Sequence, residues 1–376
     1  MNTRRALPAF LALAVLASIQ SGQLPAFDAI PELEPRANRH QYYSSHNSYA
    51  RTATLSAQLD FYNVWEIELD VRFNNEGQTD PDDRYEIFHD CTTVGTRTLK
   101  QALSEIKGTR RFQDGLFFLN IELGDAVGPC DDWDDLPPET HDANVESIIL
   151  AELGFSNIYR ETEFTAPAPD DGRWPSVQEL VRRGKHVIVH MVYQGNSGGQ
   201  FFRRGTGVNA SGRVIWNSDD EDASLLDLGD RHMARYYPSG LTGPGCIPIL
   251  EQGDWDDAYA NGFNFPSTNC VSDSGFLALR RRFHPPYPMY ATNVANPLLQ
   301  YGTPGSRFSG VAGLAQAVGW VQMYNARPPI APSHTSRAGV IPILMAPGSY
   351  PVSSGGVRLE GPIVLQSENG APVTIE

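Results

Sequence analysis

The chain predicts an α/β fold on three observations. Short β-type apolar runs alternate with helix-like ones through the main body, polar residues gather towards the C-terminal ends of the strand-like runs, and one such run is apolar enough to be buried on both faces. At 376 residues, with 41% hydrophobic and 19% charged content, the length suits one large α/β domain with a small appendage. No fixed-period repeat breaks the alternation. Together these favour an α/β barrel or a layered sheet over residues 23–330, read here as an imperfect (β/α) barrel, with an export signal over 1–22 and a short β-rich segment over 331–376.

Taken in order, Arg4 and Arg5 supply a positive start and residues 6–17 an apolar run too short for a permanent membrane anchor. A secreted or extracytoplasmic protein is expected. Five strands follow: 41–45 leads into His46 and Asn47, 64–71 carries Glu68 and Asp70, 85–88 leads into His89 and Asp90, 116–123 carries Glu122, and 186–192 carries His190. Helices are expected at 98–107, with Thr96 as cap, and at 176–183, opened by Pro175 and Ser176 and stopped by Gly184. The stretch 72–84, with Gly77, Pro81 and several acidic residues, reads as a loop, which makes the barrel imperfect. After Arg327-Pro328-Pro329 and Pro332, runs at 340–344, 357–359 and 362–365 read as short strands that either form an appendage or finish the barrel.

The formal net charge of −15 argues against nucleic-acid binding and against general adhesion to anionic membranes, and favours cation binding by clustered carboxylates. The four cysteines, Cys91, Cys130, Cys246 and Cys270, are even in number and include no CxxC pair. They read as two disulfides; pairing 91 with 130 and 246 with 270 closes the shorter loops, and the spacing leaves all three connectivities open.

Glu68 and Asp70 flank Leu69 in an apolar strand, so both carboxylates point to one face while Leu69 points to the other. Two inward carboxylates repel, and a hard, oxygen-preferring cation, calcium before magnesium, is the natural compensation. Glu122, at the end of a run apolar on both faces, and the amide oxygen of Asn47 could complete such a site. His46 and His89 each end an expected strand, where a parallel barrel gathers its chemistry, and a pair of imidazoles there can exchange protons near neutral pH. Asp90 could orient an imidazole, Arg72 shares the face of Asp70 and could hold a phosphate oxygen, and His190 could face the same mouth.

These residues together resemble a known family. His46-Asn47-Ser48-Tyr49, Glu68-Leu69-Asp70-Val71-Arg72, Phe88-His89-Asp90 and Asn120-Ile121-Glu122-Leu123 match the PI-PLC-like phosphodiesterases in order and spacing. More narrowly they resemble the calcium-dependent phosphoinositide phospholipase C enzymes. The resemblance implies a TIM-type barrel, calcium held by Asn47, Glu68, Asp70 and Glu122, and a catalytic pair of His46 and His89. It implies attack by an inositol 2-hydroxyl on phosphorus, with His89 protonating the leaving oxygen and His46 stabilising the pentavalent centre. A phospholipid or other phosphodiester is the implied substrate, met by transient contact with a membrane surface, and a monomer is expected. Eukaryotic members hold ring phosphates with basic residues after the later strands; no lysine follows Lys185 here, and Arg280 to Arg282 could substitute or form a solvated face. A glycerophosphodiester phosphodiesterase-like or phospholipase D-like activity is the alternative, and a secreted, non-catalytic binding protein a further one.

Overall fold

The computed structural model describes residues 36–37, 40–74, 79–87, 97–123, 138–164, 174–193, 215–217, 235–236, 255–256, 264–272, 283–286, 289–292, 303, 307–326, 341–350, 363–367 and 373–375. The expected export signal, His89, Asp90, Cys91, Cys130, Cys246 and the run 357–359 lie outside these residues. No helix among the described residues is long and apolar enough to cross a membrane.

The fold grows from β2 (Glu66–Phe73), which is buried along its whole length. Because strand side chains alternate, Ile67, Leu69 and Val71 enter an outer cluster with Leu119 and Ile121 of β4 (Phe117–Leu123) and Val187 and Val189 of β5 (Val187–Tyr193). Helix α2 (Leu99–Lys107) covers this cluster with Leu99, Leu103 and Ile106. Each such side chain contributes about 1.5–3 kcal/mol on burial. The opposite face of β2 carries Glu66, Glu68, Asp70 and Arg72, all buried. Below them Tyr42, Phe118, Ile188 and Phe265 form a second, inner apolar cluster. Trp65 joins this inner cluster and not the outer one that alternation from Ile67 predicts, because it precedes the regular strand. Its Nε1 donates to the carbonyl of His284.

The main sheet runs β6 (Ile215–Asn217), β5, β4, β2, β1 (Ser44–Ser45), β8 (Phe265–Thr268), β7 (Arg235–Tyr236), and every neighbouring pair on this path is parallel. Parallel strands share one C-terminal rim, the rim on which barrel enzymes build their sites. Among the described residues β6 and β7 do not pair, so the barrel is imperfect, as the sequence predicts.

One strand departs from expectation. β3 (Tyr85–Ile87) pairs antiparallel to β2, with Phe73 opposite Tyr85 and Val71 opposite Ile87, so it is the return arm of a hairpin and not a barrel strand. Among the described residues of the link, the 3-10 turn Pro81–Arg84 leads straight into β3, and none forms the crossover helix that a parallel return would need. The described part of the 85–88 run is therefore antiparallel to β2 and not the parallel barrel strand expected.

Two helix starts follow from their caps. Thr98, not Thr96, caps α2: its hydroxyl accepts from the amide of Gln101, whose side chain accepts from the amide of Thr98. Helix α6 (Val177–Arg182) starts at Ser176, whose hydroxyl accepts from the amide of Glu179, and Gly184 at φ 72 turns the chain out of it.

Beyond the barrel, β10 (Phe308–Ser309), β9 (Met289–Thr292), β11 (Ile341–Met345) and β13 (Ile363–Ser367) form a four-stranded parallel sheet in that order. β12 (Gly348–Tyr350) and β14 (Val373–Ile375) pair parallel beside it. The β11–β12 unit is thus followed by a β13–β14 unit stacked on it in the same direction, and the strands after 340 extend a sheet begun at Met289. The long helix Gly310–Ala326 packs Leu314, Val318 and Val321 against Ile343, Met345 and Tyr350. Gly313 is required there: a Cβ would meet the Phe308 carbonyl carbon at 2.8 Å. Cys270, buried beyond β8, is disulfide-bonded to a cysteine outside the described residues.

Candidate metal centre and active site

The register of the sheet assembles the site. Glu68 of β2 lies opposite Asn120 of β4, and Asp70 opposite Glu122, so the inward face of this strand pair presents three carboxylates and an amide side by side. Glu68, Asp70 and Glu122 are all buried, and each offers a carboxylate oxygen within 4.8 Å of the others'. Two oxygens on one calcium, each at roughly 2.3–2.6 Å, lie no more than about 5 Å apart, so this spacing fits a shared divalent ion. The donor set is entirely hard oxygen, as calcium or magnesium prefers.

The loop after β1 closes over the cluster. Asn47 sits in the left-handed region at φ 46, ψ 53, a conformation asparagine tolerates better than most residues. That turn aims its amide N–H at Glu68 Oε2, 2.6 Å away. Tyr49 donates its hydroxyl to Asp70 Oδ2 at 2.7 Å and lies 3.3 Å from Asn47 Oδ1, which brings the Asn47 side-chain oxygen beside the carboxylates. Burial first, then the charge of Asp70 and its hydrogen bond, then the charges of Glu68 and Glu122, push the Tyr49 hydroxyl far above the usual tyrosine range. It therefore remains a donor at every physiological pH. Ser48 anchors the loop from beneath: its hydroxyl accepts from the amide of Glu68.

His46 follows β1 directly, and its amide continues the ladder to the carbonyl of Thr268 in β8. Its Nδ1 lies 2.9 Å from Oδ1 of Asn269, the residue after β8. An amide oxygen can only accept, so Nδ1 carries the proton and the opposite ring nitrogen is the one presented for proton exchange.

The other expected residues fall as follows. His190 lies on β5 opposite Asn120, and its Nε2 is 3.2 Å from Oε1 of Glu66. Ser44 donates to the other Glu66 oxygen, and the Ser44 and Ser267 hydroxyls are 3.0 Å apart. Arg72 is buried on β2 at the register opposite Glu86 of β3. His89 and Asp90, as stated, are outside the described residues.

Four participants carry no role in the sequence reading. Glu66 precedes Glu68 by two, so the alternation that groups Glu68 with Asp70 also signals it. Tyr49 lies inside the quoted His46–Tyr49 run. Asn269 has no local signal, because its partner is 223 residues away. Arg51 ends the loop, with its Nε donating to the carbonyl of Asn47 at 3.1 Å.

No family model matches the chain, and no curated protein matches it. Among solved structures it is similar to the calcium-dependent phosphoinositol-specific phospholipase C of a Gram-negative Pseudomonas sp, at 12% identity over 67% of this chain and 96% of that one, with a TM-score of 0.44. It is similar to a Ca2+-dependent phosphatidylinositol-specific phospholipase C from Streptomyces antibioticus, at 13% identity over 62% and 96%, TM-score 0.42. A third similarity is to L. pealei PLC21, at 12% identity over 65% of this chain and 35% of that one, TM-score 0.40. At these identities and scores they stand as similarities, and the case for the site's chemistry rests on its own residues.

Proposed function

We propose that the chain is a calcium-dependent phosphoric diester hydrolase that acts on phosphoinositide-like lipids by phospholipase C chemistry. The observation that carries this reading is the convergence of three buried carboxylates, Glu68, Asp70 and Glu122, beside Asn47 and His46 at the C-terminal rim of a parallel sheet. Burying three like charges is costly unless a cation is the intended occupant. Asn47, Glu68, Asp70 and Glu122 would hold the ion. When bound, calcium would supply Lewis-acid polarisation of a phosphoryl oxygen and stabilise an ionised attacking hydroxyl.

The chain's own residues do the rest. An inositol 2-hydroxyl attacks phosphorus as its proton passes to a carboxylate oxygen of the Glu68, Asp70 and Glu122 cluster, the new P–O bond closes a cyclic phosphate, and the bond to the diacylglycerol oxygen breaks. His46, held by Asn269, presents its second ring nitrogen to the phosphoryl oxygens, and His89 is assigned the proton for the leaving oxygen from its place in the motif. Tyr49 and the Asn47 amide keep Asp70 and Glu68 in place. His190, held by Glu66, and Arg72 are assigned to substrate contacts. The protein is read as a secreted monomer that meets its lipid at a membrane surface.

Phosphorus NMR of phosphatidylinositol and of glycerophosphoinositol, each with calcium or with chelator, tests this. A calcium-dependent cyclic phosphate signal from the lipid is expected. Cleavage of the glycerol diester alone would replace this reading with a glycerophosphodiesterase one, and no cleavage of either would overturn it.

A further inference from the structure

We propose that Arg51 is the residue that grips the substrate's phosphate, a role that deepens the phosphodiesterase reading and rests on it. The need comes from charge. Three carboxylates against one divalent cation leave the site negative, and a phosphodiester brings another negative charge into it. A cation at the rim is required to make that approach favourable.

Arg51 has the position and the support. It directly follows the 3-10 turn Ser48–Ala50, with its amide donating to the carbonyl of Ser48. The turn is braced twice: Gln58 Nε2 donates to the carbonyl of Ser48 at 2.7 Å, and the Ser48 hydroxyl accepts from the amide of Glu68. The Nε of Arg51 is committed to the carbonyl of Asn47, which fixes the plane of the guanidinium on the same loop that supplies Asn47 to the carboxylates. The two terminal nitrogens form the fork that matches two phosphate oxygens. The loop it is tied to meets Glu68 through the Asn47 amide and Asp70 through the Tyr49 hydroxyl, which sets the Arg51 charge beside the cluster. Arg51 is half-buried, so it keeps a solvent-facing approach.

A cation that serves the phosphate opposes the metal. The inference therefore requires effects of opposite sign from one substitution. Arg51→Gln keeps an amide able to reach Asn47 but removes the charge, and calorimetry should show calcium binding tightened about 3- to 10-fold. On the calcium-loaded protein, affinity for glycerol 3-phosphate should fall by about 10- to 100-fold, the worth of a charged hydrogen bond. Arg51→Lys keeps the charge but not the fork: calcium affinity should be unchanged and glycerol 3-phosphate affinity reduced. This second variant carries the test if the first does not fold.

Weaker calcium binding in Arg51→Gln would mean that Arg51 is a strut for the Asn47 loop, and unchanged glycerol 3-phosphate binding would mean that it touches no phosphate; either overturns the inference. Opposed effects of Arg51→Gln in a protein whose wild type cleaves no diester would uphold Arg51 as a phosphate contact and sink the phosphodiesterase reading. A wild type that binds no calcium would sink both.

Discussion

Replacing Glu122 with glutamine should stabilise the protein without metal and destabilise it relative to wild type with metal. The carboxylate oxygens of Glu68, Asp70 and Glu122 approach within 4.8 Å. At that separation and an effective dielectric of about 20, two unit charges repel by ~3.5 kcal/mol, and Glu122 takes part in two such pairs. Lost hydrogen bonds to the carboxylate, and the nearby charge of Arg51, offset much of this. A gain of about 1–3 kcal/mol for calcium-free Glu122→Gln is the expected remainder. With calcium the order reverses. An ion at one hundred times its dissociation constant stabilises the wild type by about 2.7 kcal/mol, and the variant, lacking one of its anionic ligands, forfeits most of that. Urea denaturation of both proteins, with chelator and with millimolar calcium, reads all four stabilities. If the calcium-free variant is less stable than wild type, or if calcium stabilises both equally, the carboxylates are a structural network and the metal argument fails.

Three further outcomes follow from the same geometry. Asn269→Ala removes the acceptor at His46 Nδ1, and should lower kcat on phosphatidylinositol by about 10- to 100-fold with little change in KM. Leu69→Ala empties a fully buried position in the outer cluster and should cost about 2–5 kcal/mol in urea denaturation, with calcium affinity preserved in the folded fraction. Glu105 ties α2 to the start of the preceding helix Leu55–Asp60. Burial raises its pKa, but acceptance from the Ser56 amide and from Arg97 outweighs that and holds it below the usual range. Because the folded pKa is depressed, its contribution is present above the unfolded carboxylate pKa and is lost as pH falls through the folded value. Glu105→Gln should therefore flatten the acid limb of the stability profile, and an unaltered limb would contradict the assignment.

Much of the site is legible because strand alternation is a local rule. Glu68 and Asp70 sit two apart in an apolar run, and a run apolar on both faces places Glu122 in a neighbouring buried strand; the sheet then sets Asp70 beside Glu122 in register. Glu66 obeys the same rule, and its pairing with His190 shows that the inward polar face extends one level below the carboxylates. Other features have no local cause. The run 85–88 carries no sign of its direction, so the antiparallel return of β3 could not be distinguished from a parallel strand. Asn269 meets His46 only because β8 closes beside β1. The cap, by contrast, is local: Thr98, unlike Thr96, has a glutamine three residues on, Gln101, that completes the reciprocal bond. The glycine-rich strands after 340 look alike in isolation; their place on β9 is set by Ile343 and Met345 meeting the helix Gly310–Ala326.

Crystals grown with and without calcium test the central claim most directly. The account predicts one cation in the calcium form, about 2.3–2.6 Å from carboxylate oxygens of Glu68, Asp70 and Glu122, with the Asn47 side-chain oxygen turned towards it. A calcium form with no ion there, and with the three carboxylates satisfied by protein side chains alone, would contradict it.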